Sequence, residues 1–345
     1  MILTVRHPKQ TQQMKRILLP RLEPGKAENR CYPSPWSRFS KVKSRELDFT
    51  KDYGTLFIKT LSLMSEMYLS IVGDRNYILG IAAILKSIEL NATTDPNQSV
   101  NITVVSTGFN TEQQEKLQQC CKYKIEWQEV KDNYNELMSL SGSKLTYARL
   151  EPEKYTKATE RLIWLDSDMI VLDSLEPLWN LDFQGMPIAA ALNVWGNPNN
   201  DQDKNPYFNA GLLVFNMKLW LEEKLSEKMI ADAKVNLWSD CDQGTSNSVL
   251  AGRWYQLDQI WNNPDTEDTS TKVMHFISRP KPWESPEPNK LWMEMLSQTP
   301  FKDELAKIQN NSDWLLNLKL KYARWEPWVR HPIKKIKSYL KKRSR

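Results

Sequence analysis

The chain has 345 residues, of which 40% are hydrophobic and 26% are charged. This length suggests a single large domain with additions, and the composition excludes collagen-like, fully disordered and polytopic membrane proteins. The net charge of +5 is unevenly distributed, because residues 1–63 carry +8, residues 319–345 carry +10 and the segment between them carries −13.

The chain contains four cysteines: Cys31, Cys120, Cys121 and Cys241. Two are adjacent and none forms a Cys-x-x-Cys motif, so the sequence predicts free thiols in a reducing compartment rather than a disulfide framework or a zinc site. No N-terminal segment has the pattern of a cleavable signal, and Lys59 and Glu66 interrupt the apolar stretch at 55–72. We therefore expect a cytoplasmic protein without a membrane-spanning segment.

Residues 1–65 contain five prolines, scattered basic residues and weak periodicity. This pattern predicts a basic extension rather than a packed unit. Met64 and Met67 lie beside the first apolar run. Two interpretations therefore stay open: a disordered extension, or sequence upstream of the translated start.

From residue 67 onward, apolar runs typical of strands alternate with stretches typical of helices. Strands are predicted at 67–73, 102–105 and 124–130, and helices at 77–90 and 111–121. Such alternation predicts a parallel sheet that is covered on both faces. Ligands of these sheets bind at the carboxyl ends of the strands.

Two carboxylates, Asp166 and Asp168, interrupt the apolar run at 161–172. Burying a charge is costly unless it is paired. One interpretation is a polar turn between two strands. The other is that both carboxylates, at positions i and i+2 across a turn, bind one hard divalent cation such as Mg²⁺ or Mn²⁺.

His275 is the single histidine of the acidic segment, since His7 and His331 lie in the basic ends. It follows an apolar run and precedes the proline-rich segment that contains Lys281. A histidine on a strand is usually structural, but a metal ligand with a lysine nearby suggests a diphosphate whose charge is neutralised. An imidazole ligand favours Mn²⁺ over Mg²⁺.

Six segments, in order along the chain, resemble the retaining glycosyltransferases of family 8, which include bacterial lipopolysaccharide galactosyl- and glucosyltransferases and glycogenin. They are found at 72–77, 145–150, 165–168, 207–216, 242–243 and 275–283. The resemblance implies a GT-A fold, in which a Rossmann-like α/β sheet merges with a smaller mixed sheet. It also implies a UDP-sugar donor and Mn²⁺, with Mg²⁺ as the alternative. We expect this domain to span 66–312 and a basic tail to follow at 313–345.

The resemblance also implies a role for each matched residue. Nucleotide contacts fall to Val72, Asp74, Asn76, Tyr77, Ser167 and Lys281. The metal ligands are Asp166, Asp168 and His275. The donor sugar is surrounded by Arg149, Asn193, Asn209, Ala210, Gly211, Asp242 and Gln243, and the catalytic set is Gln243, Asp242 and Lys281. The competing interpretations are structural: a core aromatic at Tyr77, a plain turn at 209–211 and a helix N-cap at Asp242.

Three positions depart from the family pattern. Gly244 stands where the family commonly has a second carboxylate, Asn193 where relatives often have an aspartate, and Ser278 where the loop has a glycine. An amide at Gln243 is a poor nucleophile, which favours attack by the acceptor on the same face as the leaving phosphate. A double displacement through a carboxylate is the alternative.

Residues 314–345 interleave Trp, Leu, Ile and Tyr with Lys and Arg. This pattern suits an anionic membrane surface, whereas nucleic-acid binding and a solvated tail are the alternatives. We expect a peripheral enzyme at the cytoplasmic face that transfers galactose or glucose to lipopolysaccharide or another lipid-linked glycan. The alternatives are a catalytically weakened UDP-sugar-binding or scaffold protein, a glycogenin-like glucosyltransferase with a protein or glucan acceptor, and a nucleic-acid-binding protein.

Overall fold

The computed structural model describes residues 66–131, 134–137, 144–200, 205–264, 268–285, 287–304 and 306. The predicted extension at 1–65 and the basic tail at 313–345 lie outside this range. Three cysteines, Cys120, Cys121 and Cys241, lie within it, and all three are buried free thiols. No helix in these ranges combines the length and apolar character needed to cross a membrane.

Within the described residues, nine strands form two sheets. They are β1 (Glu66–Val72), β2 (Ser99–Ser106), β3 (Ile125–Glu129), β4 (Arg161–Asp166), β5 (Met169–Val171), β6 (Ile188–Leu192), β7 (Phe208–Asn216), β8 (Tyr255–Leu257) and β9 (Val273–His275). The large sheet has the order β3-β2-β1-β4-β7-β6-β8, and β5 pairs with β9 in a separate two-stranded sheet.

In the part of the chain that the structure describes, seven α-helices connect and cover these strands. They are α1 (Ile78–Asn91), α2 (Thr111–Gln118), α3 (Glu176–Trp179), α4 (Met217–Glu222), α5 (Leu225–Val235), α6 (Asp242–Leu250) and α7 (Lys290–Ser297). Local signals explain several boundaries. α2 begins with a capping box, in which the Asn110 side chain accepts from Gln113 N and the Gln113 side chain accepts from Asn110 N.

The first four strands of the large sheet, β3, β2, β1 and β4, run parallel to one another. This half confirms the arrangement that the alternation of strands and helices predicts. β7 then pairs antiparallel with both β4 and β6. The pattern of residues did not predict this reversal, because a strand buried on both faces has no period that distinguishes its direction.

Both faces of the large sheet are covered. Alternate residues of β4 enter two separate hydrophobic clusters: Ile163 and Leu165 belong to one, Leu162 and Trp164 to the other. Since successive side chains of a strand point to opposite faces, the clusters lie on opposite sides of the sheet. α1 contributes to the first cluster and α5 to the second. Helices therefore pack against both faces of the large sheet.

Candidate active site

The carboxyl ends of β1 and β4 lie side by side. Val72 pairs with Asp166 in the parallel register. The turn after β1 is therefore next to the turn at 166–168 after β4, which we call the acidic turn. The packing at this junction is tight, because a Cβ atom added to Gly73 would lie 2.8 Å from Ser167 Oγ. Ser167 itself is buried. Parallel strands commonly place their ligands at this edge.

The two-stranded sheet brings His275 to the acidic turn. β5 begins directly after Asp168, and its first residue, Met169, pairs with His275 on β9. The backbone N–H of Phe276 donates to the carbonyl of Asp168 at 2.9 Å. A short antiparallel pair therefore fixes the histidine against carboxylates that are distant in the sequence.

Ligand atoms of Asp166, Asp168 and His275 all lie within 4.8 Å of one another. His275 Nε2 is 3.2 Å from Asp168 Oδ1 and 3.9 Å from Asp166 Oδ2. His275 Nδ1 lies 2.8 Å from Asn262 Oδ1. The Asn262 amide is oriented by its Nδ2 group, which donates to Asn209 Oδ1 at 2.9 Å. Nδ1 therefore donates to Asn262 Oδ1, and this hydrogen bond leaves Nε2 facing the two carboxylates.

The chemistry of this cluster fits a divalent cation. Asp168 Oδ1 is buried and has no hydrogen-bond partner among the described residues. A bound cation would satisfy this oxygen. Two carboxylates with one imidazole form a ligand set that suits Mn²⁺ and related divalent ions.

Lys281 lies against the same carboxylate. Its Nζ is 2.6 Å from Asp168 Oδ2 and donates to the carbonyls of Phe276 at 2.6 Å and Ile277 at 3.0 Å. Burial alone would raise the pKa of Asp168, but the positive charge of Lys281 and the neighbouring His275 outweigh it and hold that pKa well below its usual value. Asp168 is therefore ionised throughout the neutral range.

Arg149 connects the acidic turn with α6. Its side chain is buried, with Nη2 2.5 Å from Asp166 Oδ1 and Nε 2.9 Å from Asp242 Oδ2, and Nη1 also donates to the Ala210 carbonyl. Burial would lower the pKa of Arg149, but Asp166 and Asp242 outweigh it and raise that pKa. Burial raises the pKa of Asp166 despite the guanidinium, and it raises the pKa of Asp242 to about 6.

The segment at 209–211 packs directly behind the histidine. Asn209 Oδ1 accepts from Gly211 N at 2.9 Å and from Asn262 Nδ2 at the same distance. A Cβ atom on Gly211 would overlap the His275 ring, so only glycine leaves room for the imidazole. Ala210 N donates to Gln243 Oε1 at 3.0 Å. The segment thus links the histidine to the start of α6.

The turn after β1 carries the predicted nucleotide residues. Asp74 Oδ1 accepts from Asn76 N at 2.8 Å, and Asn76 is exposed. Tyr77 is half-buried and packs edge-on against Trp283, with ring centroids 5.3 Å apart. Arg279 Nη2 donates to its hydroxyl at 3.2 Å. Burial, followed in size by the negative charge of Asp168, raises the pKa of Tyr77 to about 12.

Asn193 lies apart from this set. It follows β6, and its Nδ2 group donates to the Gly196 carbonyl at 2.7 Å within its own loop. Its backbone N–H donates to the Tyr207 carbonyl at 2.8 Å. The other predicted site residues are brought together at the ends of β1 and β4 and at the start of α6.

Comparison with known proteins agrees with this geometry. The family model of Glycosyl transferase family 8 matches residues 68–287, more than half of the chain. The chain belongs to glycosyltransferase family 8. Membership of this family confirms the predicted class of enzyme, a glycosyltransferase.

Relatives from this family extend over most of the chain. General stress protein A of Bacillus subtilis strain 168 is 24% identical over 282 residues, which cover 72% of this chain and 94% of the relative. The lipopolysaccharide 1,3-galactosyltransferase of Salmonella typhimurium strain LT2 is 24% identical over 272 residues, which cover 70% of this chain and 77% of the relative.

A solved structure of the galactosyltransferase LgtC, in complex with donor and acceptor sugar analogs, superimposes with a TM-score of 0.58 at 19% identity. The match covers 68% of this chain and 96% of that chain. Together with the large, mostly parallel sheet, this likeness confirms the GT-A fold.

Several residues of the candidate site were not predicted from the sequence. Asn262 orients the histidine, Trp283 supports Tyr77, and Asp240 accepts from Gln243 Nε2 at 2.9 Å. Trp283 ends the matched segment at 275–283 but was given no role there, whereas Asn262 and Asp240 belong to no motif that a single sequence reveals.

Proposed function

We propose that this family 8 enzyme transfers a hexose, galactose or glucose, from a UDP-sugar to a saccharide acceptor with retention at the anomeric carbon. The observation that carries the proposal is the cluster of Asp166, Asp168 and His275 beside Lys281. It lies at the carboxyl end of β4, next to the turn after β1. A nucleoside diphosphate needs cationic groups at this edge of the sheet.

In this proposal the nucleotide lies along the turn after β1. Asp74 and Asn76 are accessible there for hydrogen bonds to uridine. Tyr77 offers its ring to the base from a fixed position, because Trp283 and Arg279 hold the ring and the hydroxyl. Val72 ends β1 directly before this turn, and the buried Ser167 lies against Gly73 within it.

The leaving diphosphate would be held by the acidic turn. Asp166, Asp168 and His275 would bind Mn²⁺, with Mg²⁺ as the alternative, and this ion would neutralise charge on the departing UDP. Lys281 adds a positive charge from the opposite side of Asp168. Asn262 keeps the histidine oriented for this task.

The donor sugar would lie between the segment at 209–211 and the start of α6. Asp242 is buried and paired with Arg149 at 2.9 Å, which supports a role in orienting the guanidinium rather than in attacking carbon. Gln243 supplies an amide, which is a poor nucleophile. We therefore propose that the acceptor attacks on the face from which UDP departs and that the leaving phosphate takes the proton from the acceptor hydroxyl.

Replacement of one metal ligand tests this function. We expect Asp168→Ala to lower Mn²⁺-dependent release of UDP from UDP-galactose or UDP-glucose by about 100-fold or more, since an ion and its ligand stabilise the charge of the leaving group. Asp173→Ala is the matched control, because Asp173 is an exposed aspartate just after β5 that pairs with Lys272. EDTA should abolish the release by the wild-type protein.

The result that would overturn the proposal is unchanged turnover in an Asp168→Ala protein whose melting temperature equals that of the control. A screen of acceptors then separates the finer possibilities: transfer to a lipid-linked saccharide supports the lipopolysaccharide-type activity. Transfer to the protein itself or to a glucan supports a glycogenin-like activity.

A second candidate function is binding of a UDP-sugar with little or no transfer. Gly244 favours it, because a side chain at 244 would overlap Trp238 and so no carboxylate can be placed there. Calorimetry would detect Mn²⁺-dependent binding of the donor. Binding without transfer to any tested saccharide would support this candidate over the transferase.

A further inference from the structure

Asp240 lies just before α6, and its carboxylate accepts hydrogen bonds from three side chains. Tyr207 Oη donates to Oδ2 at 2.7 Å and Gln243 Nε2 donates to the same oxygen at 2.9 Å. Asn199 Nδ2 donates to Oδ1 at 2.7 Å. An ionised carboxylate has only acceptors, so three donors that converge on it are all satisfied.

The side-chain amides of Asn199 and Gln243, which contact Asp240, cannot rotate so as to exchange the positions of their oxygen and NH₂ group. Asn199 Oδ1 accepts from both the backbone N–H and the hydroxyl of Ser239, each at 2.8 Å. Gln243 Oε1 accepts from Ala210 N at 3.0 Å. In each amide the oxygen is therefore engaged and the NH₂ group is directed at Asp240. The direction of every hydrogen bond in this network therefore depends on one carboxylate, that of Asp240.

Gly244 leaves the room that Asp240 needs. A Cβ atom on Gly244 would lie 2.7 Å from Asp240 Oδ1 and would overlap Trp238 Cβ. The intervening Cys241 has φ 53° and ψ −115°, a conformation that costs a residue other than glycine free energy. The contacts of Asp240 on one side and of α6 on the other hold this turn in place. The missing carboxylate at 244 and the carboxylate at 240 are thus parts of one arrangement.

We propose that Asp240 is a positioning residue for the donor-sugar site, which acts through Gln243. It fixes the Gln243 amide so that one lone pair of Oε1 and one N–H remain directed toward the space between α6 and the segment at 209–211. This role rests on the proposed function, because that space is where the donor sugar would lie. The carboxylate itself makes no contact with the reacting atoms.

The test is Asp240→Asn, which keeps the shape of the side chain. In one orientation the new NH₂ group faces Asn199 Nδ2, and in the other it faces Gln243 Nε2, so a donor faces a donor in both. We expect kcat for UDP-sugar turnover to fall by about 10- to 100-fold, the effect of losing a hydrogen bond to a charged group. KM for the donor should change far less.

Asp232→Asn is the matched control. Asp232 also accepts from three side chains, at Trp238, Asn236 and Ser248, but it has no bond to Gln243. We expect this variant to keep the wild-type kcat. A double-mutant cycle then tests the route of the effect: in a Gln243→Ala background, Asp240→Asn should cost less than about threefold. Equal losses in both backgrounds, or an unchanged kcat in Asp240→Asn, would overturn the proposal.

A second measurement does not depend on turnover. NMR spectra of protein labelled with ¹⁵N-glutamine contain the side-chain amide signals of each glutamine. The signals of Gln243 are identified as those that disappear in Gln243→Ala. They should move in Asp240→Asn and stay in place in Asp232→Asn. Signals that stay in place in both variants would show that Asp240 does not position the amide. If the wild-type protein turns over no nucleotide sugar, the proposed function fails, while these signals still decide the positioning role.

Discussion

At the scale of single residues, the site is organised by charge that is buried and paired. Arg149 is 2% exposed and contacts two carboxylates. A buried arginine of this kind is costly unless both partners are ionised. The ionisation of Asp242 is disfavoured, because burial raises its pKa from 3.8 to about 6. The strength of this pair therefore depends on pH.

This shift predicts how stability changes with pH. Between about pH 4 and pH 6 the folded protein retains a proton on Asp242 that the unfolded chain releases, so the contribution of Asp242 to stability declines as the pH rises through this window. Asp242→Asn cannot titrate. We expect its unfolding free energy, relative to wild type, to increase by on the order of 2–3 kcal/mol from pH 4 to pH 6.

Denaturant unfolding in EDTA at several pH values measures this difference, since EDTA keeps metal binding out of the comparison. Above pH 6 the difference should become constant. A difference that is flat between pH 4 and pH 6, or one that decreases, would contradict the assignment of a raised pKa to Asp242.

At the scale of elements, the site depends on how α1 packs against the acidic turn. Gly80 lies in α1, and a Cβ atom there would overlap the Ser167 carbonyl and lie 2.8 Å from the Trp283 ring. Helix propensity alone would make alanine at this position more stable by about 1 kcal/mol. The close approach predicts the opposite sign. Only glycine at position 80 therefore allows the acidic turn to lie this close to α1.

We expect Gly80→Ala to lower the unfolding free energy by about 1–3 kcal/mol, the usual cost of overpacking. It should also weaken Mn²⁺ binding, because the carbonyl of Ser167 belongs to the turn that carries Asp166 and Asp168. Thermal unfolding and calorimetric titration with Mn²⁺ measure the two effects. A variant with a higher melting temperature would show that α1 can move away from the turn without loss.

The strands and helices also differ in how well the sequence predicts them. Strands β1, β2 and β3 and helix α1 were expected within a few residues of their bounds, because short apolar runs and a long apolar stretch alternate there. The antiparallel placement of β7 and the pairing of β5 with β9 were not, since strand direction depends on contacts between distant segments. The candidate ligands Asp166, Asp168 and His275 were visible as polar residues in apolar runs.

Their partners were not visible in the same way. Asn262 and Asp240 act through single hydrogen bonds to His275 and Gln243, and a single sequence gives no signal for such pairs. Arg149 was placed in the site by resemblance, but its simultaneous contact with Asp166 and Asp242 depends on the approach of three elements. The sequence thus indicates which residue types form the site, whereas the orientation of their side chains depends on the fold.

At the scale of the whole molecule, the sequence has an acidic middle segment between two basic ends. The segment between the basic ends carries −13, yet it contains the proposed diphosphate site. Lys281 and a bound cation would supply positive charge there locally. Residues 319–345, which carry a charge of +10, lie outside the described residues. We propose that they attach the enzyme to an anionic membrane that carries a lipid-linked acceptor.

Removal of the tail tests this proposal. We expect the full chain to sediment with phosphatidylglycerol-containing vesicles but not with phosphatidylcholine vesicles, since each basic residue near an anionic surface contributes about 1 kcal/mol. A chain of residues 1–312 should bind these vesicles at least about tenfold more weakly and keep its UDP-sugar turnover.

A second variant, in which Trp314, Trp325 and Trp328 are replaced by serine, keeps every charge of the tail. It should also weaken vesicle binding, because aromatic rings anchor at the interface. Wild-type vesicle binding in the serine variant, combined with binding to DNA or RNA that declines steeply with salt, would instead identify the tail as a nucleic-acid-binding segment.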